Sequence, residues 1–385
     1  MSERSSSAGS SRSHIHLTDF FGGGALLSLR DHLLPGLWPM LVAFVVCALA
    51  TPLAILLSRR TGVIAQPGGR HAHTNPTPLL GGLALYVGFV AAVLLFLPHY
   101  GFATGVLVVS GLATGLLVID DRRSVHPLAK LGVQVLLAFL AVKAFNIEID
   151  YVGLPGNHIF HLGWLIAPVS VFWLLGMQNT VNFLDGVDGL AAGVIFIVAL
   201  ILMLAAGELS DIDVVKLSGA MAGACAGFLL FNFHPARIFM GDSGSHFLGI
   251  ALGMISMLGV AKVAVAFALA VPVIALALPI ADTAWAILRR RRQKTSVATP
   301  DRLHLHHRLQ SFGLDPRQTC YVFYAASALF GALGLTIFGH GRVLAVVVVV
   351  TIALTSTVAA DVLQHGGWRI PAPFMRRLLS NQGSR

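Results

Sequence analysis

Apolar residues in this chain come in long unbroken runs, not at the 3.6- or 2-residue intervals of a half-buried helix or strand. The runs cover roughly 37–57, 79–97, 103–119, 131–145, 164–178, 187–206, 217–231, 247–261, 264–288, 320–338 and 343–360. A straight membrane-crossing helix needs about 20 apolar residues, with a range of about 17–25. The pattern therefore predicts an all-α fold, a polytopic integral membrane bundle of about eleven transmembrane helices. The runs 131–145, 164–178, 217–231 and 247–261 are short, so they must extend into their flanks or be shielded by neighbours. The segment 217–231 carries the weakest signal, with GAMAGACAG inside it. Such small residues suit close helix–helix contact.

This pattern divides the chain into a polar segment 1–36, expected to be disordered, a transmembrane domain 37–361, and a basic tail 362–385. Polar loops at 58–78, 120–130, 179–186, 232–246 and 289–319 lie on one side by the parity of the crossings. Most of the Lys and Arg residues fall in these loops and the tail, including Arg59, Arg60, Arg122, Arg123 and the run Arg289–Arg292. Bases collect in cytoplasmic loops. The loops and the C-terminus are therefore expected inside and the N-terminus outside. No cleavable signal peptide is evident, because the first apolar run starts late and is long enough to span.

Composition sharpens this picture. Charged residues make up 11% of the chain and hydrophobic ones 56%, against about 25% charged in an ordinary soluble domain. A soluble globule of this size could not be coated by so few charges. The net charge of +9 would suit nucleic acid, but basic cytoplasmic loops account for it, and no nucleic-acid partner is expected. Cys47, Cys225 and Cys320 sit in or at the edge of apolar runs, with no metal-ligand or disulfide spacing.

The remaining polar residues gather in the same set of loops. Asp120 and Asp121 end the third span in LLVIDDRRSVHPLAK. Two adjacent carboxylates there repel each other and face the negative end of a helix dipole, so they need a cation. Arg122 and Arg123 are one source; a metal ion or a role in phosphate transfer is the other. Lys130 follows as an interface anchor or a phosphate clamp. In GMQNTVNFLDGVDGLAAG, the residues Asn179, Asn182, Asp185 and Asp188 recur at intervals of three and would share a face on one helix. Asp188 is also placed to cap the sixth helix. In FNFHPARIFMGDSGSHFLG, Asp242 stands in a Gly-Asp-Ser-Gly-Ser turn, either an ordinary Asx turn or a metal carboxylate before a phosphate-receiving helix N-terminus. Asn232 and His234 add polar atoms at the same depth. Asp282 lies within a span, where an acid is functional by default or pairs with the arginines that follow. PDRLHLHHRL brings His304, His306 and His307 together beside Arg302 and Arg308. Without cysteines, and with acids elsewhere, the set favours a hard cation such as magnesium over zinc. The flanking arginines fit a nucleotide diphosphate. The first loop adds Arg70, His71 and His73. Oxygen ligands, cations and glycine turns on one membrane face suit phosphoryl transfer, which needs charge neutralisation and positioning above all.

The strings IDDRRSVHPLAK, NTVNFLDGVDGLAAG, NFHPARIFMGDSGS and PDRLHLHHRL, in that order, resemble the polyprenyl-phosphate N-acetylhexosamine-1-phosphate transferase family across about residues 60–310. The resemblance implies a bacterial cytoplasmic-membrane enzyme that uses magnesium, with manganese as a substitute. It implies transfer of a sugar 1-phosphate from a UDP-sugar to undecaprenyl phosphate, releasing UMP. Asp120, Asp121 and Asp185 then match catalytic acids. Asp242, with Asp121 or Asp185, matches the metal carboxylates. Lys130, Asn179, Asn182, Asp188, Arg70, His73, Arg302, His304, His306 and His307 match the substrate-binding positions. His-Leu-His-His after Pro-Asp-Arg resembles the branch that uses UDP-N-acetylglucosamine to start cell-envelope polysaccharides. The peptidoglycan branch, which uses UDP-N-acetylmuramoyl-pentapeptide, is the alternative. The early loop departs from the family, with Ala65 and His71 where an acid and a lysine would stand. A homodimer is compatible with the resemblance. Direct attack by the lipid phosphate and a two-step route through an aspartyl-phosphate both remain open. A transporter is the reading from another class, but its ionisable groups would lie near the bilayer midplane, whereas these lie at span ends.

Overall fold

A computed structural model describes residues 23–66, 76–97, 101–123, 125–154, 158–258 and 316–337. The expected spans at 264–288 and 343–360, together with Asp282, Arg70, His71, His73, Arg302, His304, His306 and His307, lie outside the described residues.

Nine helices make up most of the described chain: α1 (Gly23–Thr61), α2 (Gly81–Phe96), α3 (Phe102–Arg122), α4 (Pro127–Phe145), α5 (Ile166–Leu184), α6 (Leu190–Glu208), α7 (Ile212–Asn232), α8 (Gly241–Leu258) and α9 (Pro316–Ile337). Six helical stretches among the described residues are long and apolar enough to cross a membrane. The protein is a polytopic membrane helix bundle. The short apolar runs do extend into their flanks: the 131–145 run lies within a helix of 19 residues and the 217–231 run within one of 21. Two small antiparallel ladders depart from an all-α fold. One pairs β1 (Ile64–Ala65) with β2 (Thr77–Pro78), the other β3 (Tyr151–Leu154) with β4 (His158–His161). Ala65 is buried in the first ladder opposite Thr77, a place where an acid would be desolvated.

The weakest run in the sequence becomes the centre of the bundle. Helix α7 is buried on nearly all sides, and its glycines recur every fourth residue along one stripe. A Cβ at Gly219, Gly223 or Gly227 would lie 2.3, 2.0 and 2.5 Å from the carbonyl oxygens of Gly36, Met40 and Phe44 on α1. Lipid tails are as apolar as Leu, so close van der Waals packing of small residues holds membrane helices together. Helix α1 runs through Pro35, Pro39 and Pro52, and it turns Trp38, Leu49 and Leu53 outward. Helices α4 and α5 likewise expose Leu128, Leu136 and Phe172, an apolar surface suited to lipid.

Backbone pairing fixes the start of α8. The Phe239 N–H donates to the Pro78 carbonyl (2.8 Å), and the N–H groups of Gly81 and Gly82 donate to the carbonyls of Phe239 (3.0 Å) and Met240 (2.9 Å). A Cβ at Gly82 would lie 2.3 Å from the Gly244 nitrogen, so the Gly81-Gly82 pair lets α2 begin against the first turn of α8.

Candidate active site

The C-terminal ends of α3, α5 and α7 and the N-terminal ends of α4, α6 and α8 meet at one end of the bundle, bringing together acids far apart in sequence. Asp120 and Asp121 end α3 and, being adjacent on a helix, point to different partners. Asp120 Oδ1 accepts the Val125 N–H (2.7 Å), and Oδ2 lies 3.3 Å from Lys130 Nζ. The same ammonium lies 2.5 Å from Asp242 Oδ2. Lys130, rather than Arg122 or Arg123, therefore supplies a cation to Asp120, the first of the paired acids, and shares it with Asp242. Asp242 Oδ1 accepts from Asn182 Nδ2 (2.6 Å), and that amide also reaches Ser245 Oγ (3.0 Å).

Asp121 turns the other way. Its Oδ1 accepts the Asp242 N–H (2.6 Å) and its Oδ2 the Ser243 N–H (3.2 Å). Those are the first amides of α8, which has no intrahelical partner for them. The expectation of a helix N-terminus open to phosphate is corrected here, because a carboxylate from α3 already occupies it. Gly241 makes room for this. Its φ is +70° and a Cβ there would lie 2.6 Å from Asp121 Oδ1.

The four residues spaced by three do not share one helix face. Helix α5 ends at Leu184, with Asp185 as its C-cap, and the Gly186–Gly189 turn breaks the periodicity. Asn179 and Asn182 remain on α5. Asp188 does not cap α6, whose N-cap is Gly189 in the left-handed region at φ 83°. Instead Asp188 Oδ2 accepts the Ala236 N–H (3.0 Å) and lies 2.9 Å from His234 Nδ1. The turn is anchored further. Cys320 Sγ and the Tyr324 hydroxyl on α9 donate to the carbonyls of Asp188 (3.3 Å) and Gly189 (2.6 Å). Asn232 Oδ1 accepts the Gly189 N–H (3.1 Å).

Asp185 accepts no hydrogen bond from the described residues. Burial pushes its carboxyl well above the usual range, and the nearby carboxylates of Asp242, Asp121 and Asp188 push it further. Among the described residues, the ion-pair partners of these acids are one ammonium, Lys130, and one imidazole, His234. Such an excess of oxygen donors and negative charge fits a hard divalent cation. Among the described residues no three His, Cys, Asp or Glu side chains form a closed cage. Both Asp121 oxygens hold amides and both Asp242 oxygens hold donors, so among the described residues Asp185 is the acid of this group whose oxygens are left open.

Two polar residues escaped the sequence reading. His246 and Gln134 are buried and hydrogen-bonded to each other (2.6 Å) behind Asp242. Their only signal was position, four residues after Asp242 and Lys130. Asn179 gives its amide hydrogens to Gln134 Oε1 (3.1 Å) and the Leu175 carbonyl (2.8 Å).

Residues 103–260, which hold every member of this cluster except those on α9, match glycosyl transferase family 4. A Bacillus subtilis protein named "Probable undecaprenyl-phosphate N-acetylglucosaminyl 1-phosphate transferase" is 35% identical over 297 residues, 76% of this chain and 83% of its own length. The chain belongs to glycosyl transferase family 4. Another relative, the decaprenyl-phosphate N-acetylglucosaminephosphotransferase of Mycolicibacterium smegmatis, is 36% identical over 367 residues, covering 86% of this chain and 89% of that one. The phospho-N-acetylmuramoyl-pentapeptide-transferase of Heliobacterium modesticaldum is 33% identical over 320 residues, 77% of this chain and 96% of the relative. These relatives match over nearly the same length, so family membership extends well beyond the 103–260 core.

Proposed function

We propose that this family 4 member transfers N-acetylglucosamine 1-phosphate from UDP-N-acetylglucosamine to undecaprenyl phosphate. The products are a lipid-linked diphosphate sugar and UMP, and the reaction initiates a cell-envelope polysaccharide. The carrying observation is the convergence of Asp120, Lys130, Asn182, Asp185 and Asp242 at one end of a membrane bundle. There a water-soluble nucleotide and a lipid phosphate can meet. The positive-inside pattern of the loops supports a cytoplasmic site in a bacterial inner membrane. The relatives named for N-acetylglucosamine transfer support the sugar. The relative named for phospho-N-acetylmuramoyl-pentapeptide supports a second reading, the same chemistry on that donor.

In this reading Asp185 and Asp242 would hold magnesium, which when bound neutralises charge on the diphosphate. Asp120 takes the proton of the undecaprenyl phosphate. A lipid phosphate oxygen bonds to the β-phosphorus of the UDP-sugar, the bond from that phosphorus to the bridging oxygen breaks, and UMP leaves. Lys130, shared between Asp120 and Asp242, offsets charge as it moves. Asn182 orients the Asp242 carboxylate, and Asp121 and Asp188 fix the two turns that carry the acids.

The test is UMP release by the purified, detergent-solubilised protein with magnesium, undecaprenyl phosphate and one UDP-sugar at a time. UMP and a lipid-linked sugar from UDP-N-acetylglucosamine are expected. Turnover only with UDP-N-acetylmuramoyl-pentapeptide would keep the chemistry and overturn the sugar. Folded protein that releases no UMP from any UDP-sugar would overturn the reading.

A further inference from the structure

Three helices each place two polar residues one turn apart on the inner face: Lys130 and Gln134 on α4, Asn179 and Asn182 on α5, Asp242 and His246 on α8. Residues three or four apart share a helix face. The outer three, Lys130, Asn182 and Asp242, bond to one another at the Asp242 carboxylate. The inner three also bond to one another, one turn deeper.

Proton directions in the inner layer follow by elimination. The Asp242 carbonyl, 2.9 Å from His246 Nδ1, only accepts, so Nδ1 carries hydrogen. Asn179 donates to the Leu175 carbonyl and, with its second hydrogen, to Gln134 Oε1. Gln134 thus turns its NH2 group toward His246 Nε2, 2.6 Å away, and Nε2 must present its lone pair. Flipping the Gln134 amide would set NH2 against NH2 at Asn179. Flipping Asn179 as well would set oxygen against the Leu175 carbonyl. One arrangement satisfies every buried group, and unsatisfied buried polar groups are costly.

We infer that buried Gln134, half-buried Asn179 and a neutral, Nδ1-protonated His246 form a positioning layer that sets the rotation of α4, α5 and α8. This rotation brings Lys130, Asn182 and Asp242 into register. A small turn of any one helix would carry its outer residue off the Asp242 carboxylate. In this arrangement the inner residues act through the outer ones. Residues that orient a metal or catalytic side chain from behind shape activity nearly as much as the side chain itself.

The inference rests on the transferase reading for its kinetic arm only, and the unsubstituted protein's UMP release tests that reading separately. Nitrogen-15 NMR of the full chain labelled at histidine, with His246→Leu identifying the resonance, is expected to show a neutral ring protonated at Nδ1. A ring protonated at Nε2 would overturn the layer without any turnover measurement. In the kinetic arm, His246→Leu and Gln134→Leu are each expected to lower kcat about 10–100-fold, with KM for the UDP-sugar little changed. The double variant Gln134→Leu/His246→Leu removes both facing partners and is expected to recover thermal stability but not kcat. Recovery of kcat together with stability would reduce the layer to packing and overturn the inference.

Discussion

Asp121 and Asp242 are joined by a hydrogen bond from backbone to side chain: the Asp242 N–H donates to Asp121 Oδ1 at 2.6 Å, while Ser243 N–H binds the other oxygen. An acid at the end of one helix thereby caps the start of another. The negative end of α3 is poor ground for a carboxylate, and the positive end of α8 is good ground. Adjacent acids that look alike in the sequence do different work. Asp120 faces Lys130, and Asp121 holds the turn that presents Asp242.

Replacing Asp121 should therefore act first on the fold of the turn. Asp121→Ala removes the acceptor of two part-buried amides and should cost about 1–3 kcal/mol, read as a lower midpoint of thermal unfolding, with UMP release falling in parallel. A variant with unchanged thermal stability would show that the cap is dispensable.

Lys130 is the sole ammonium within reach of both Asp120 and Asp242 among the described residues. Lys130→Met should lower kcat by about 100-fold or more, the scale seen when one preorganised donor is removed from developing charge. Lys130→Arg should restore part of it. Steady-state UMP release at saturating UDP-sugar measures both.

Asp185 is expected to tie stability to pH and to the proposed cation. Its folded-state pKa is raised by burial and by Asp242, Asp121 and Asp188, so the folded state holds the proton more tightly than the unfolded chain does. The ionisation penalty is absent below the ordinary carboxylate range and grows as pH rises from there through the raised value. At neutral pH in a chelator, Asp185→Asn should unfold at a higher temperature than the native protein. Added magnesium should stabilise the native protein and leave the variant nearly unmoved. Equal stabilisation of both by magnesium would remove Asp185 from the proposed metal site.

The α1–α7 contact has no slack at Gly223, where a Cβ would meet the Met40 carbonyl oxygen at 2.0 Å. Gly223→Val should prevent a monodisperse folded protein in detergent, since overpacking costs about 1–3 kcal/mol even where the neighbours can shift. Gly115→Ala on α3, where a Cβ meets nothing within 4 Å, should be tolerated. Size-exclusion profiles of the two variants decide the matter.

Membrane spans were legible in the sequence because lipid imposes one demand on every exposed side chain, and a long apolar run meets it whatever its neighbours are. The polar residues that converge at one end of the bundle were legible for the same reason: Asp120, Lys130, Asn182, Asp185 and Asp242 stand out against an apolar background. Two things needed the tertiary structure. The run at 217–231 looked weak because its glycines lower its apolar character, yet those glycines let α1 approach α7, and that partner is not encoded nearby in the chain. The division of labour among the acids also depended on geometry. Whether a carboxylate caps a helix, as Asp121 does, anchors a turn, as Asp188 does, or accepts no hydrogen bond from the described residues, as Asp185 does, is set by which helix end packs against it. Gln134 and His246 carried only their spacing from Lys130 and Asp242, and spacing on one helix says nothing of the face it meets. Apolar length is a local property that sequence determines by itself; the pairing of buried polar groups is a property of three helices at once.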